Sequence, residues 1–161
     1  MAKSYGQVCP MARSLEFLGE RWTLLIVRDL LRGALKFQDL SASLSGVPPA
    51  VLSLRLKLLE ERGVITRRIY SDHPPRAEYS LTPAGRELGV VVAALTIWGS
   101  RHLKTERELA HTTCDHAVAL IYYCPHCEET LARSEITFRP RRARRTGKQV
   151  SRPVRQSTGL S

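Results

Sequence analysis

FQDLSASLSGVPPAVLSLRLKLLEERG, residues 37–63, decides the architecture. Phe37, Leu40 and Leu44 recur at helical spacing, so residues 37–44 read as a short helix with these side chains inward. Ser45, Gly46 and Val47 interrupt it. Pro48 and Pro49 then start a longer helix, because a proline in the first turn lacks only an N–H that has no partner there. Leu52, Leu56 and Leu59 fall four and three apart on its inner side, and Gly63 closes it after Arg62. A short helix, a Gly-containing turn and a longer helix make a helix-turn-helix.

The next residues extend this unit. Ile65, Arg67 and Ile69 alternate with Thr66, Arg68 and Tyr70, a period of two, and Glu78 to Leu81 alternate again. Between them Ser71-Asp72-His73-Pro74-Pro75-Arg76 is turn chemistry, and proline bars extension of the ladder there. The expectation is a two-stranded hairpin behind the second helix, a wing. Thr82 as N-cap and Pro83 at the first helical position start another helix. It is predicted to run unbroken to about Thr105, with Leu88, Val91, Val92, Leu95 and Trp98 on one side. That side suits pairing with a second copy of the chain. Upstream, residues 10–18 read as a helix begun by Pro10. Residues 20–33 (ERWTLLIVRDLLRG) read as another, with Trp22, Leu25, Ile26 and Leu30 inward, Leu24, Val27 and Leu31 widening the stripe, and Gly33 ending it.

Composition is that of a soluble globular protein, with 161 residues, 43% hydrophobic and 25% charged. No apolar run approaches the roughly 18 residues of a membrane span. Met1-Ala2-Lys3-Ser4-Tyr5 lacks the apolar core of an export signal, so a cytoplasmic protein with no membrane partner is expected. In that reducing compartment the four Cys point to metal, redox chemistry or packing. The formal charge is +10, yet residues 138–161 hold seven Arg and one Lys without an acid, which leaves +2 for the rest. The basic total suggests a polyanionic partner, though charge alone proves little. For the folded part, the case rests on shape and local patches. The expected class is mainly α with a small β-hairpin wing: a winged helix-turn-helix over residues 1–105. A short Cys/His-rich β extension over 106–137 and a disordered basic tail over 138–161 complete it.

Cys9-Pro10, GERWTLLIVRDLLRG, KFQDL, GVPPAVLSLRLKLLEERGVITR and PPRAEYSLTPAG follow one another in order. Together they resemble the HxlR-type winged-helix transcriptional regulators, relatives of the MarR-like regulators, over about residues 8–103. The resemblance implies a homodimeric regulator of transcription, a repressor with an inducing signal. It also implies that each subunit lays one helix in the major groove of double-stranded DNA and a wing near the minor groove. Where family members often carry a polar or basic residue early in the recognition helix, this chain has Ala50.

Turning that helix by about 100° per residue places Ala50, Ser53, Leu54 and Lys57 outward, with Pro49 at its head. Ser53 suits base edges, Lys57 phosphate, and Ala50 a thymine methyl. Arg55, in the family's "RL" pair, is a support or phosphate contact. On the wing Arg67, Arg68, His73 and Arg76 supply positive charge, and Arg76 beside the tip is the leading backbone contact. So thin a set of readers leans on phosphate contacts and DNA shape.

Cys9 stands where the resemblance implies a thiol that senses oxidants, quinones or aldehydes, which would make a small molecule or oxidant the effector. A helix N-terminus favours the reactive thiolate. Inert packing or capping is the other reading. Cys124-Pro125-His126-Cys127 is a CxxC knuckle, with Cys114 and His116 ten and eight residues before it. Cys114, His116, Cys124 and Cys127 form a set suited to tetrahedral, structural zinc, with His111 and His126 as alternative ligands. A strand over Val118–Tyr123 would join the pairs. A redox-active pair or no special role stays open, as does a zinc-ribbon nucleic-acid-binding module or a thiol-disulfide protein centred on the CxxC. No nucleophile–base–orienter set and no phosphate-cradling Gly loop is present, so an enzyme is not expected.

Overall fold

The computed structural model describes residues 4–72 and 75–140. The chain divides into two units, residues 1–120 and 121–161. In the first, the order is α1 (Pro10–Leu18), α2 (Thr23–Leu30), β1 (Leu35–Lys36), α3 (Phe37–Ser43), α4 (Pro49–Glu61), β2 (Ile65–Asp72), β3 (Pro75–Leu81), α5 (Pro83–Glu87) and α6 (Gly89–His102). The second holds β4 (Tyr122–Cys124), β5 (Glu129–Leu131) and a 3-10 turn at Arg133–Glu135.

One apolar core joins the helix-turn-helix to the wing. Ile26, Val27 and Leu30 of α2 meet Leu40 and Leu44, Leu52, Leu56 and Leu59 of α4, and Ile65 and Leu81 at the wing's base. The turn between α3 and α4 passes through Gly46 at φ +85°, a conformation a side chain rarely tolerates. Buried Asp29 accepts hydrogen bonds from Ser43 Oγ at 2.7 Å and Arg28 Nε at 2.8 Å, fastening α2 to α3. The helix expected over 20–33 begins only at Thr23, because Trp22 sits at φ 79° and cannot continue a right-handed turn.

The wing is larger than expected. β2 and β3 pair antiparallel from Ile65↔Leu81 out to Ser71↔Arg76 and Asp72↔Pro75, with an irregularity between Ile69 and Ser71. Proline therefore does not stop the ladder at Ser71, since Pro75 takes a terminal place where no further N–H is needed. β1 adds a third strand, Leu35 opposite Tyr79 and Lys36 opposite Glu78, giving the order β1-β3-β2. Sequence reading missed it because two residues cannot display an alternation.

Behind the wing, Thr82 accepts from the Gly85 N–H at 3.0 Å and donates to the Gly63 carbonyl at 2.7 Å. A Cβ at Gly85 would lie 2.0 Å from the Val64 carbonyl oxygen, so only glycine permits this approach. The unbroken helix expected from residue 82 is two helices. The Leu88 N–H turns back to the Gly85 carbonyl at 3.1 Å, and its side chain packs on the core. α6 then carries no buried residue. Val90, Val91, Leu95 and Trp98 are exposed, as are Leu25 and Leu31 of the α2 segment, which the sequence reading placed inward. The strand expected over Val118–Tyr123 is confined to Tyr122 and Tyr123, which continue into Cys124.

Candidate nucleic-acid interface

The two prolines and the Leu52–Leu56–Leu59 stripe fix the rotation of α4. Those leucines are buried, and Pro49, Ala50, Ser53, Leu54 and Lys57 are exposed. Leu54 keeps 57% of its surface. Lys57 Nζ lies 3.8 Å from Glu61, an exposed i,i+4 pair that a phosphate can displace at little cost. Arg55 differs from its neighbours. Its Nε donates to the Arg21 carbonyl at 3.1 Å and its guanidinium pairs with Glu20, so it holds α4 against the α1–α2 junction. A groove of about 650 Å³ runs between α1 and the later turns of α4, lined by Glu16 and Glu20 as well as Leu54 and Lys57. Its carboxylates repel a phosphate backbone, so the cleanest approach to α4 is over its first two turns. That is where helix-turn-helix proteins touch bases.

On the wing, Arg68 pairs with Glu78 at 3.1 Å. Arg76 is exposed opposite Ser71. With Lys36, Gln38, Arg67 and Tyr70 it lines a basic groove of about 290 Å³, where Lys36 Nζ sits 5.3 Å from the Tyr70 ring centre. Lys36 and Tyr70 were missed by sequence reading. Lys36 reaches the wing only through β1, and Tyr70 turns toward it at the β2 irregularity, neither of which shows as periodicity. His73 lies outside the described residues, as does the tail from residue 141.

An exposed helix flanked by a basic wing is the arrangement of DNA-binding winged helices, and the comparisons agree. The HxlR-like helix-turn-helix family model matches residues 17–107. The chain belongs to this family. It is 39% identical, over 81% of its length and 84% of the relative's, to an uncharacterized HTH-type transcriptional regulator of Mycobacterium tuberculosis (strain CDC 1551 / Oshkosh). Among solved structures it is similar to PA1374 of Pseudomonas aeruginosa, assigned as a transcription factor (TM-score 0.65, 34% identity, 84% of this chain and 96% of that one). It is also similar to the oxidized form of the redox regulator HypR (TM-score 0.56, 29% identity, 60% of this chain and 100% of that one). This HxlR-type chain is thus a winged-helix, DNA-binding transcriptional regulator, a class of non-enzymes. Among its described residues no helix is long and apolar enough to cross a membrane.

The cysteines of the HxlR-type chain fall in separate settings. Cys9 occupies the N-cap position of α1 in an extended conformation, makes no side-chain capping hydrogen bond, and is half-buried. Cys114 Sγ is 3.1 Å from His111 Nδ1, while His116 Nδ1 is 2.6 Å from the Cys114 carbonyl. At the tip of β4 and β5, the backbone N–H of Cys127 and then that of His126 hold the Cys124 thiol below its ordinary range. The hydrogen bond between the two side chains pushes the Cys127 thiol up. Among the described residues no three His, Cys, Asp or Glu stand together as a group able to hold a metal.

Proposed function

We propose that the chain is a homodimeric repressor that reads an operator with α4 in the major groove and its wing beside the minor groove. The observation that carries this is the exposed row Pro49, Ala50, Ser53, Leu54 and Lys57 over a buried leucine stripe. Ser53 addresses base edges, Ala50 and Leu54 the thymine methyls, and Lys57 a phosphate. Arg76 and Arg67, with Lys36, carry the wing's backbone contacts. Arg68 and Arg55 position: one braces the wing through Glu78, the other sets the angle of α4.

Dimerisation rests on α6. Val90, Val91, Leu95 and Trp98 remain exposed, and α2, which packs against α6, leaves Leu25 exposed. Monomeric proteins rarely leave so continuous an apolar surface in water. A second subunit would cover it and set the spacing of two recognition helices. Cys9 is the proposed sensor of an oxidant or electrophile. Its place at the head of α1, and the likeness to HypR, support that reading.

Binding of duplex DNA from upstream of the chain's own gene, measured by anisotropy at several salt concentrations, tests the reading. Arg76→Ala is expected to weaken all sequences alike and lower the salt slope by about one unit. Ser53→Ala relaxes sequence preference. Sedimentation of Leu95→Ser with Trp98→Ser should give a monomer that binds weakly. A wild-type monomer indifferent to duplex DNA in dilute buffer overturns the proposal. An unchanged response of Cys9→Ser to diamide removes the sensor.

A further inference from the structure

Cys124 and Cys127 both belong to the second unit, and the backbone holds them on one turn at the tip of β4 and β5. Cys124 pairs with Glu129 across the hairpin, and the Glu128 N–H returns to the Cys124 carbonyl at 2.8 Å. Glu128 closes the bend from a left-handed φ of 60°, uncommon for a residue other than glycine. The ends of so tight a turn lie within about 7 Å of each other, which is the reach of a disulfide. The two side chains already meet. The backbone N–H groups of Cys127 and then His126 point at the Cys124 sulfur, and the Cys127 side chain adds a hydrogen bond to it. Both are free thiols, and among described residues 103–140 no side chain is buried, so small solutes reach the turn. Among the described residues no third donor joins the pair in a group able to hold a metal.

A second turn of the same backbone design lacks the partner thiol. In the first unit the Asp115 N–H returns to the His111 carbonyl at 2.8 Å, and Asp115 is left-handed at φ 55°. His111 stands there where the other turn has Cys124. Cys114 therefore has an imidazole nitrogen at 3.1 Å and no second sulfur three residues before it.

We propose that the Cys124–Cys127 turn is a thiol–disulfide exchange site, oxidised to an intra-turn disulfide by low-molecular-weight disulfides. Cys124, as thiolate, attacks one sulfur of the small disulfide. That S–S bond breaks, a mixed disulfide forms on Cys124, and one small thiolate leaves and takes up a proton. Cys127 then gives its proton to solvent and attacks the Cys124 sulfur. The second small thiolate leaves and is protonated in turn. The cysteine pair has lost two electrons, and the small disulfide has become two thiols.

The turn sets the order of attack. Hydrogen bonds from N–H groups favour the thiolate at Cys124, the form that reacts. The hydrogen bond to Cys124, and then the charge on that sulfur, push the Cys127 thiol up. Both influences end once the Cys124 sulfur is bonded to the small thiol, which frees Cys127 to close the ring. The pair is distinct from the sensor proposed at Cys9, and its oxidation is read without reference to DNA binding.

The test exposes the full chain, reduced and freed of reductant, to oxidised glutathione at neutral pH. Samples are quenched with excess N-ethylmaleimide and digested with trypsin and Asp-N. The digest separates Cys114 from peptide 115–133, whose cysteines are Cys124 and Cys127 alone. The expected product is a 115–133 peptide that has lost two hydrogens and takes no label, and dithiothreitol should restore both thiols. Any glutathione taken up at Cys114 should persist as an adduct. Cys127→Ser should trap glutathione on Cys124, whereas Cys124→Ser should take it up at Cys127 several-fold more slowly. A glutathione adduct that accumulates on the wild-type turn without ring closure overturns the proposal, as do thiols there that stay unreactive. Equal uptake by the two serine variants overturns the order of attack. Ring closure is read on the wild-type chain, so a variant that fails to fold still leaves the proposal open to refutation.

Discussion

In the winged segment Ile26, Leu40, Leu52 and Leu59 have no exposed surface, whereas among described residues 103–140 no side chain is buried at all. The two stretches follow one another on a single chain, yet their shapes rest on different physics. The first is specified by apolar spacing, and its polar devices act at the seams: Thr82 at a helix start, Asp29 between α2 and α3, Arg55 beneath α4. The second is specified by turns and left-handed residues. Apolar patterning therefore says little about it, and truncating an apolar side chain should be felt very unequally in the two.

The largest expected effect is Leu59→Ala, which empties a site at the centre of the core. It should cost about 2–5 kcal/mol in urea unfolding, while Leu131→Ala in the extension should leave that transition within about 0.5 kcal/mol. Equal losses from the two would break the contrast. Gly85→Ala comes next, at about 1–3 kcal/mol from forcing a methyl against the Val64 carbonyl, read as a lower urea midpoint. Thr82→Ala removes the cap and its bond to Gly63, costing about 1 kcal/mol, with Thr82→Ser restoring most of it. Smallest in stability but sharpest for the extension is the reactivity of its thiols. Cys124 is held low and Cys127 high, so Cys124 should be alkylated first at neutral pH. Its rate should fall as acid protonates the thiolate, and Cys127 should catch up only in alkali. Peptide mass spectrometry after brief iodoacetamide treatment reads the order, and equal labelling would deny the asymmetry.

Much of the winged segment was legible. Proline at first turns and leucines three and four apart placed α1, α3 and α4 almost to the residue. The same spacing could not separate an apolar side chain that faces the core from one on the surface, so Leu25 and Leu31 were read inward. Nor could it reveal Arg55's partners, which lie 35 and 34 residues earlier in the chain. β1 is too short to announce itself, and the break at Leu88 comes from a turn back to Gly85 that no periodicity encodes. In the extension the Cys and His residues were evident, but the turns that carry them depend on which positions bend the backbone. Asp115 and Glu128 gave no sign of that, because neither is the glycine that usually marks such a bend.

The tie from Arg55 to Glu20 and Arg21 bears on how specificity would be moved between relatives. If α4 reads DNA as proposed, exchanging residues 49–61 alone would transfer its lettering without its aim, since Arg55 ties the helix to the loop that follows α1. Re-targeting by graft therefore calls for Glu20 and Arg21 to travel with the helix they steady.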